Sequence, residues 1–262
     1  MNFGYRILAA LCFFTRLPFW RIANVGKEYY ERVVPMWPMV GWLTGGVMGL
    51  VAWLTMGLPV YVSAVLCLIV RVLITGALHE DGFADFCDGF GGGTSKGRTL
   101  EIMKDSHIGT YGVLGLILYF MLMVTAMGYV MEKTGYPLQI MAVMIIGNSM
   151  CKWVASSIIY FLPYARKEEE AKTKLVYASV SVGEKIMSAV FGLLPIGIML
   201  CFTPFFVDDL ICALIAMVVV MATAAYLFRL MHKRIEGYTG DCCGATFIVC
   251  EAVYYLILVC LL

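Results

Sequence analysis

A chain of 262 residues that is 61% hydrophobic and only 14% charged is not composed like a soluble domain, where charged residues make up about 25%. Its net charge of +1 gives no electrostatic reason to expect nucleic acid as a partner. Ten cysteines, scattered singly apart from Cys242-Cys243 and without C-x-x-C spacing, predict neither a zinc site nor a disulfide framework.

The first apolar stretch, Phe3 to Phe14, is interrupted by Arg6 and stopped by Thr15-Arg16-Leu17-Pro18. Its length suits an interfacial helix, since a span needs about 20 residues. Hydropathy then predicts seven spans, near 35–57, 59–78, 109–131, 137–161, 186–206, 209–230 and 244–262. The basic residues test that count independently. Sixteen of nineteen Lys and Arg fall in segments 1–34, 79–108, 162–185 and 229–243, whereas the alternate connections hold only Lys133. By the positive-inside rule the N-terminus is cytoplasmic and the C-terminus lies outside. The expected fold is therefore all-α: a polytopic membrane helical bundle of about seven transmembrane helices plus a short N-terminal interfacial helix. It forms a single integral membrane domain over residues 1–262. Lys167–Lys174 reads as a solvated helix turn or loop.

Within the second charge-rich segment runs His79-Glu80-Asp81-Gly82-Phe83-Ala84-Asp85-Phe86-Cys87-Asp88-Gly89. Four carboxylates fall within nine residues. Asp81, Asp85 and Asp88, spaced i, i+4, i+7, share one face of a helix. Like charges so close repel unless a hard cation neutralises them, and carboxylate oxygens are what Mg2+ prefers. The segment thus predicts metal-assisted chemistry on a phosphate-bearing substrate at the membrane edge. Glu80 is expected as an outer or substitute ligand, and His79, beside the acids, as a proton carrier or a donor to the metal's ligands. The histidines show no ligand spacing of their own, so zinc is not expected.

A phosphate also needs cations and backbone donors. Arg16, Lys96, Arg98, Lys104 and Arg166 are the candidates in the charge-rich segments, with Arg71 and Lys152 inside spans, where ionisable groups usually line an interior or cavity. Gly91-Gly92-Gly93 could approach phosphate closely, or simply turn the chain between helices. It is not a Walker A loop, because Arg98 stands where Lys belongs and no strand precedes it. Asp105 and Asp241 could position the acceptor or bind a second cation, although Asp241 also suits a helix N-cap. Glu251, inside the last span, needs a cationic partner, Arg71 or Lys152.

Gly76-Ala77-Leu78-His79-Glu80-Asp81-Gly82-Phe83-Ala84-Asp85 with Asp88-Gly89, followed by Leu100-Glu101-Ile102-Met103-Lys104-Asp105-Ser106-His107-Ile108-Gly109-Thr110-Tyr111-Gly112, resembles the cobalamin synthase (adenosylcobinamide-GDP ribazoletransferase) family. Phe13-Phe14-Thr15-Arg16-Leu17-Pro18, Pro163-Tyr164-Ala165-Arg166 and Gly237-Tyr238-Thr239-Gly240-Asp241 extend the resemblance over nearly the whole chain. It implies a multi-pass transferase of the cell membrane, with a cytoplasmic active site, acting late in vitamin B12 assembly. Adenosylcobinamide-GDP would be the donor and α-ribazole or its 5′-phosphate the acceptor; GMP would leave, with Mg2+ required. Asp81, Asp85 and Asp88 would hold the metal, and Asp85 or Asp88 would take the proton from the ribose 5′-hydroxyl. Glu80 stands where the family often has an apolar residue and so ranks below them. The bulk of a corrinoid donor calls for a broad cavity or for an interface shared in a homo-oligomer. A CDP-alcohol phosphotransferase is the competing enzyme, but Asp85 replaces the Arg of its D-G-x2-A-R pattern. A divalent-cation transporter would spread its acids along the spans, whereas here they cluster.

Overall fold

Lipid offers backbone amides no partners, so spanning segments must satisfy their own hydrogen bonds, and helices do this. The computed structural model of the protein describes residues 2–166, 177–202 and 207–262. The helices in chain order begin with α1 (Phe3–Phe14), α2 (Lys27–Glu31), α3 (Trp37–Leu54), α4 (Val60–Thr75), α5 (Leu78–Gly92) and α6 (Lys96–Ile102). After them come α7 (Thr110–Thr134), α8 (Pro137–Ser156), α9 (Ile158–Phe161), α10 (Val182–Phe202), α11 (Val207–Ile235) and α12 (Gly240–Leu261). The expected all-α polytopic bundle is what forms, and α1 falls on the short N-terminal stretch. The expected turn over Lys167–Lys174 lies outside the described residues.

Among the described residues six helical stretches are long and apolar enough to cross a membrane. The expected span 59–78 differs. Its helix, α4, stops after 16 residues, and α5 leaves it at 92°. Only by counting that bent pair as one broken span does the total reach seven. The break is local and steric. Gly76 (φ +65°) and Ala77 (φ +59°) are both left-handed, a conformation that costs an alanine about 1–2 kcal/mol. The Arg16 backbone N–H donates to the Ile74 carbonyl (2.7 Å), and the Arg16 side chain lies where a Cβ on Gly76 would project. The acidic segment is accordingly a helix packed against α7 and α12, not a connecting loop.

Close packing comes from small residues. Gly41, Gly45 and Gly49 form one stripe of α3 against α8, and a methyl at Gly41 would sit 2.6 Å from the Ser149 Cα. Such backbone proximity is the usual source of helix association in lipid, where burial from water contributes nothing. On the far side of α8, Gly147 meets the Tyr254 ring of α12. Outer faces of α7, α10 and α11 expose Leu114, Leu118, Ile186, Leu194, Leu214 and Val218, as a lipid-facing surface requires.

The bundle interior is polar at one level. Arg71 of α4 pairs with Glu251 of α12, and donates to Glu80 of α5 (2.7 Å) and to the Tyr119 hydroxyl of α7 (2.8 Å). Tyr119 in turn donates to Glu251 (2.7 Å). Asn148 of α8 donates to Glu251 (3.4 Å) and accepts from Thr44 of α3 (3.0 Å). Six helices therefore meet through one charged network. Arg71→Leu would strand two carboxylates and is expected to cost about 3–5 kcal/mol. Thermal unfolding in detergent checks this: Arg71→Lys, which keeps the charge but not the fork, should fall between Arg71→Leu and the parent.

Candidate active site

A cavity of about 180 Å³ opens between α1, α3, α5, α8 and the start of α12. Its buried end is aromatic: Phe14, Trp37, His79 and Phe247, with Tyr177 edge-on to Trp37 (ring centroids 5.6 Å apart). Its open end carries Asp81, Arg166, Gly240 and Asp241. Lys152 lies between, buried, with Nζ 3.6 Å from the Phe247 ring centre and 3.1 Å from His79 Nε2. With Lys152 as an ammonium, which can only donate, Nε2 is the acceptor and the ring proton sits on Nδ1.

Local backbone chemistry sets these positions. Residues 163–165 pair with Tyr238 through Tyr238 N–H to the Pro163 carbonyl (2.9 Å) and Ala165 N–H to the Tyr238 carbonyl (2.8 Å). A Cβ on Gly237 would fall 2.3 Å from that Pro163 oxygen, so glycine is needed there. This pairing holds Tyr164 and Arg166 beside the start of α12, and burial pushes the Tyr164 phenol above its usual pKa. Thr239 is the N-cap of α12, accepting from Cys242 N–H. Asp241 is thus in the first turn rather than at the cap, where the helix dipole favours its charge. Gly82 of α5 packs on the Asp241 backbone, and Gly244 of α12 packs on His79. These two glycines let the helices approach closely enough for Asp81 and Asp241 to share one cavity.

The remaining sequence candidates scatter. Glu80, expected as a metal ligand, points into the bundle and pairs with Arg71. Arg71, expected near phosphate, is buried in the core network, both terminal nitrogens bonded to Glu251, Glu80 and Tyr119. Asp88 caps a neighbouring helix: Gly109 N–H donates to its Oδ2 (2.7 Å) and Gly112 N–H to its Oδ1 (2.8 Å), at the start of α7. Asp85 is half-buried one turn beyond Asp81. On the surface, Lys96 pairs with Glu236 (2.6 Å) and Arg98 with Glu101 (2.8 Å), while Lys104 is exposed. The His107 backbone N–H and ring hold the Asp105 carboxyl below its usual pKa, also on the surface. Arg16 braces the α4–α5 break. Gly91 and Gly93 are packing sites against Tyr111 and Thr99, not a phosphate cradle.

Among the described residues no three His, Cys, Asp or Glu side chains stand together as a ready metal cage. The donor set at the cavity mouth nonetheless suits Mg2+, which is commonly held by one or two carboxylates plus substrate phosphates and water. Asp81 and Asp241, which line that mouth together, would be those carboxylates. Sequence reasoning missed the aromatic wall of Phe14, Trp37, Tyr177 and Phe247, because apolar residues facing a cavity and facing lipid look alike in a membrane chain.

A profile of the Cobalamin-5-phosphate synthase family matches residues 6–259. Among curated relatives, a protein of Shewanella woodyi is 35% identical over 95% of this chain and 93% of its own length. One from Shewanella putrefaciens is 34% identical over 96% and 92%, and one from Leptospira interrogans 33% over 96% and 93%. Each is named adenosylcobinamide-GDP ribazoletransferase. No solved structure matches. With a family profile covering nearly its whole length, the chain belongs to the Cobalamin-5-phosphate synthase family of enzymes.

Proposed function

We propose that the protein is a Mg2+-dependent transferase that joins adenosylcobinamide-GDP to α-ribazole or its 5′-phosphate at the cytoplasmic face of the cell membrane. The observation that carries this reading is the convergence of Asp81, Asp241 and Arg166 at the mouth of an aromatic cavity, in a chain of this family. The attacking oxygen is a secondary ribose hydroxyl, not the 5′-oxygen expected from the sequence. An acceptor already phosphorylated at 5′ yields a product that keeps that phosphate. The hydroxyl forms a new ester bond to the phosphorus nearest cobinamide, the P–O–P bridge breaks, and GMP leaves with the bridging oxygen.

Asp81 is placed to take the hydroxyl proton, and Arg166 to accompany the pyrophosphate charge. Lys152 and His79 supply donors deeper in the cavity. Bound Mg2+, held by Asp81 and Asp241, would neutralise the phosphate oxygens. The K/R distribution puts this mouth on the cytoplasmic side, where nucleotide donors are found.

Purified protein given adenosylcobinamide-GDP and α-ribazole should release GMP and form the cobalamin product only when Mg2+ is present. No corrinoid product under either condition would remove the reading. Asp81→Asn is expected to lower kcat by about 10²–10⁴-fold. Lys96→Ala and Arg98→Ala, at surface pairs away from the cavity, should stay within about twofold of the parent. Asp88→Ala, which leaves the α7 amides unsatisfied, should cost about 1–3 kcal/mol of stability by thermal unfolding.

A further inference from the structure

Among the described residues, two buried polar atoms at the inner end of the cavity have no hydrogen-bond partner: Trp37 Nε1 and His79 Nδ1. Their residues are 4% and 5% exposed, and both line the cavity. An indole N–H can only donate, and His79 Nδ1–H is a second donor when Lys152, as an ammonium, donates to Nε2 (3.1 Å). Buried donors without acceptors cost about 1–3 kcal/mol each, so such a pair is kept where a ligand completes it.

The walls around these donors are flat. The Phe14 ring lies nearly parallel to His79 (centroids 6.0 Å, 11°) and edge-on to Trp37 (5.1 Å, 74°), and Phe247 packs on His79 (4.6 Å). The volume, about 180 Å³, is below the range of about 300–1,000 Å³ for drug-sized pockets, so it admits one small ring system and excludes a corrin macrocycle. A guanine would bring its own buried donors, a ring N–H and an exocyclic amine, into a site already rich in donors. A ribosylated benzimidazole brings no donor. It has one unsubstituted ring nitrogen with an in-plane lone pair, and a sugar that would extend towards the charged mouth.

From this we infer that the aromatic end of the cavity is the subsite for the heteroaromatic base of the acceptor nucleoside, with Trp37 Nε1–H donating to its free ring nitrogen. The assignment rests on the proposed transferase reading, and it adds the direction in which the acceptor lies: base inward against Phe14 and Phe247, ribose outward beside Asp81 and Asp241. Trp37 is a positioning residue in this scheme, since it touches the base and not the reacting atoms. The base has one in-plane lone pair and so meets one of the two nitrogens; we assign it to Trp37, whose N–H is its ring's only polar atom, whereas His79 is also held through Nε2 by Lys152.

The test uses the full-length protein in detergent and has two readouts. Calorimetric binding of α-ribazole, with no donor present, should be compared with binding of the indole α-riboside, in which a C–H replaces the free nitrogen. The parent protein should prefer α-ribazole by about five- to tenfold, the net effect of one buried hydrogen bond. Trp37→Phe keeps the aromatic wall and should abolish that preference, raising the KM for α-ribazole while the KM for adenosylcobinamide-GDP stays within twofold. Equal binding of the two nucleosides by the parent, or a KM change confined to the donor, would overturn the subsite. Should Trp37→Phe fail to fold, the nucleoside comparison on the parent decides alone. Binding with the stated preference but no transfer would support the subsite and sink the transferase reading; transfer without the preference would do the reverse.

Discussion

The pairing of Arg71 with Glu251 and Glu80 is the constraint on which the remaining architecture depends. A guanidinium and two carboxylates inside a membrane bundle are tolerable only when each satisfies the others. Here α4, α5 and α12 each supply one member, while Tyr119 and Asn148 add hydrogen bonds from α7 and α8. An apolar core would be indifferent to small slips of one helix past another. This network tolerates none, because a slip would expose a charge to hydrocarbon.

That constraint acts directly on the cavity through three consecutive residues of α5. Successive helical side chains point about 100° apart. Once Glu80 is fixed on Arg71, His79 and Asp81 are turned to its two flanks. His79 meets Lys152 and Phe247, and Asp81 reaches the mouth that Asp241 shares. The 92° break at Gly76-Ala77 makes this possible, since a straight continuation of α4 would carry the acidic segment away from α12. The buried salt network and the site are thus two faces of one short helix.

What the sequence made legible follows from these physics. Charge alternation and hydropathy gave the polytopic helical bundle, because lipid penalises misplaced charge strongly. They missed the break after Thr75, because Ala77 in a left-handed conformation has no compositional signature. The aspartate stripe was correctly placed on a helix, but one face is not one site. Residues seven apart are about 10.5 Å apart along the axis, too far to share a cation whose ligand bonds are about 2.1 Å long. Asp88 therefore serves the start of α7, and the partner of Asp81 comes from another helix. Asp241 was a candidate in the sequence, but no spacing rule could pair it with Asp81, because the two meet only through the packing of Gly82 and Gly244. Glu80 shows a different failure: charge type predicted an ion partner, and the partner was Arg71.

The division of labour along the cavity follows from where water reaches. At the mouth, Asp81, Arg166 and Asp241 keep contact with solvent, so their charges cost little. At the inner end solvent is excluded, and the residues there are rings with N–H edges, which stay neutral and retain specificity for shape and for a single acceptor atom. Lys152 is a buried cation at that end, where the Phe247 face and the His79 ring nitrogen stand in for its lost hydration. A site with charge at its surface and aromatic donors at its base is suited to a ligand that is flat and apolar at one end and a polar sugar at the other. A transferase with a macrocyclic donor would gain from this polarity: the small acceptor would be seated inside the bundle, while the bulk of the donor need only approach the mouth.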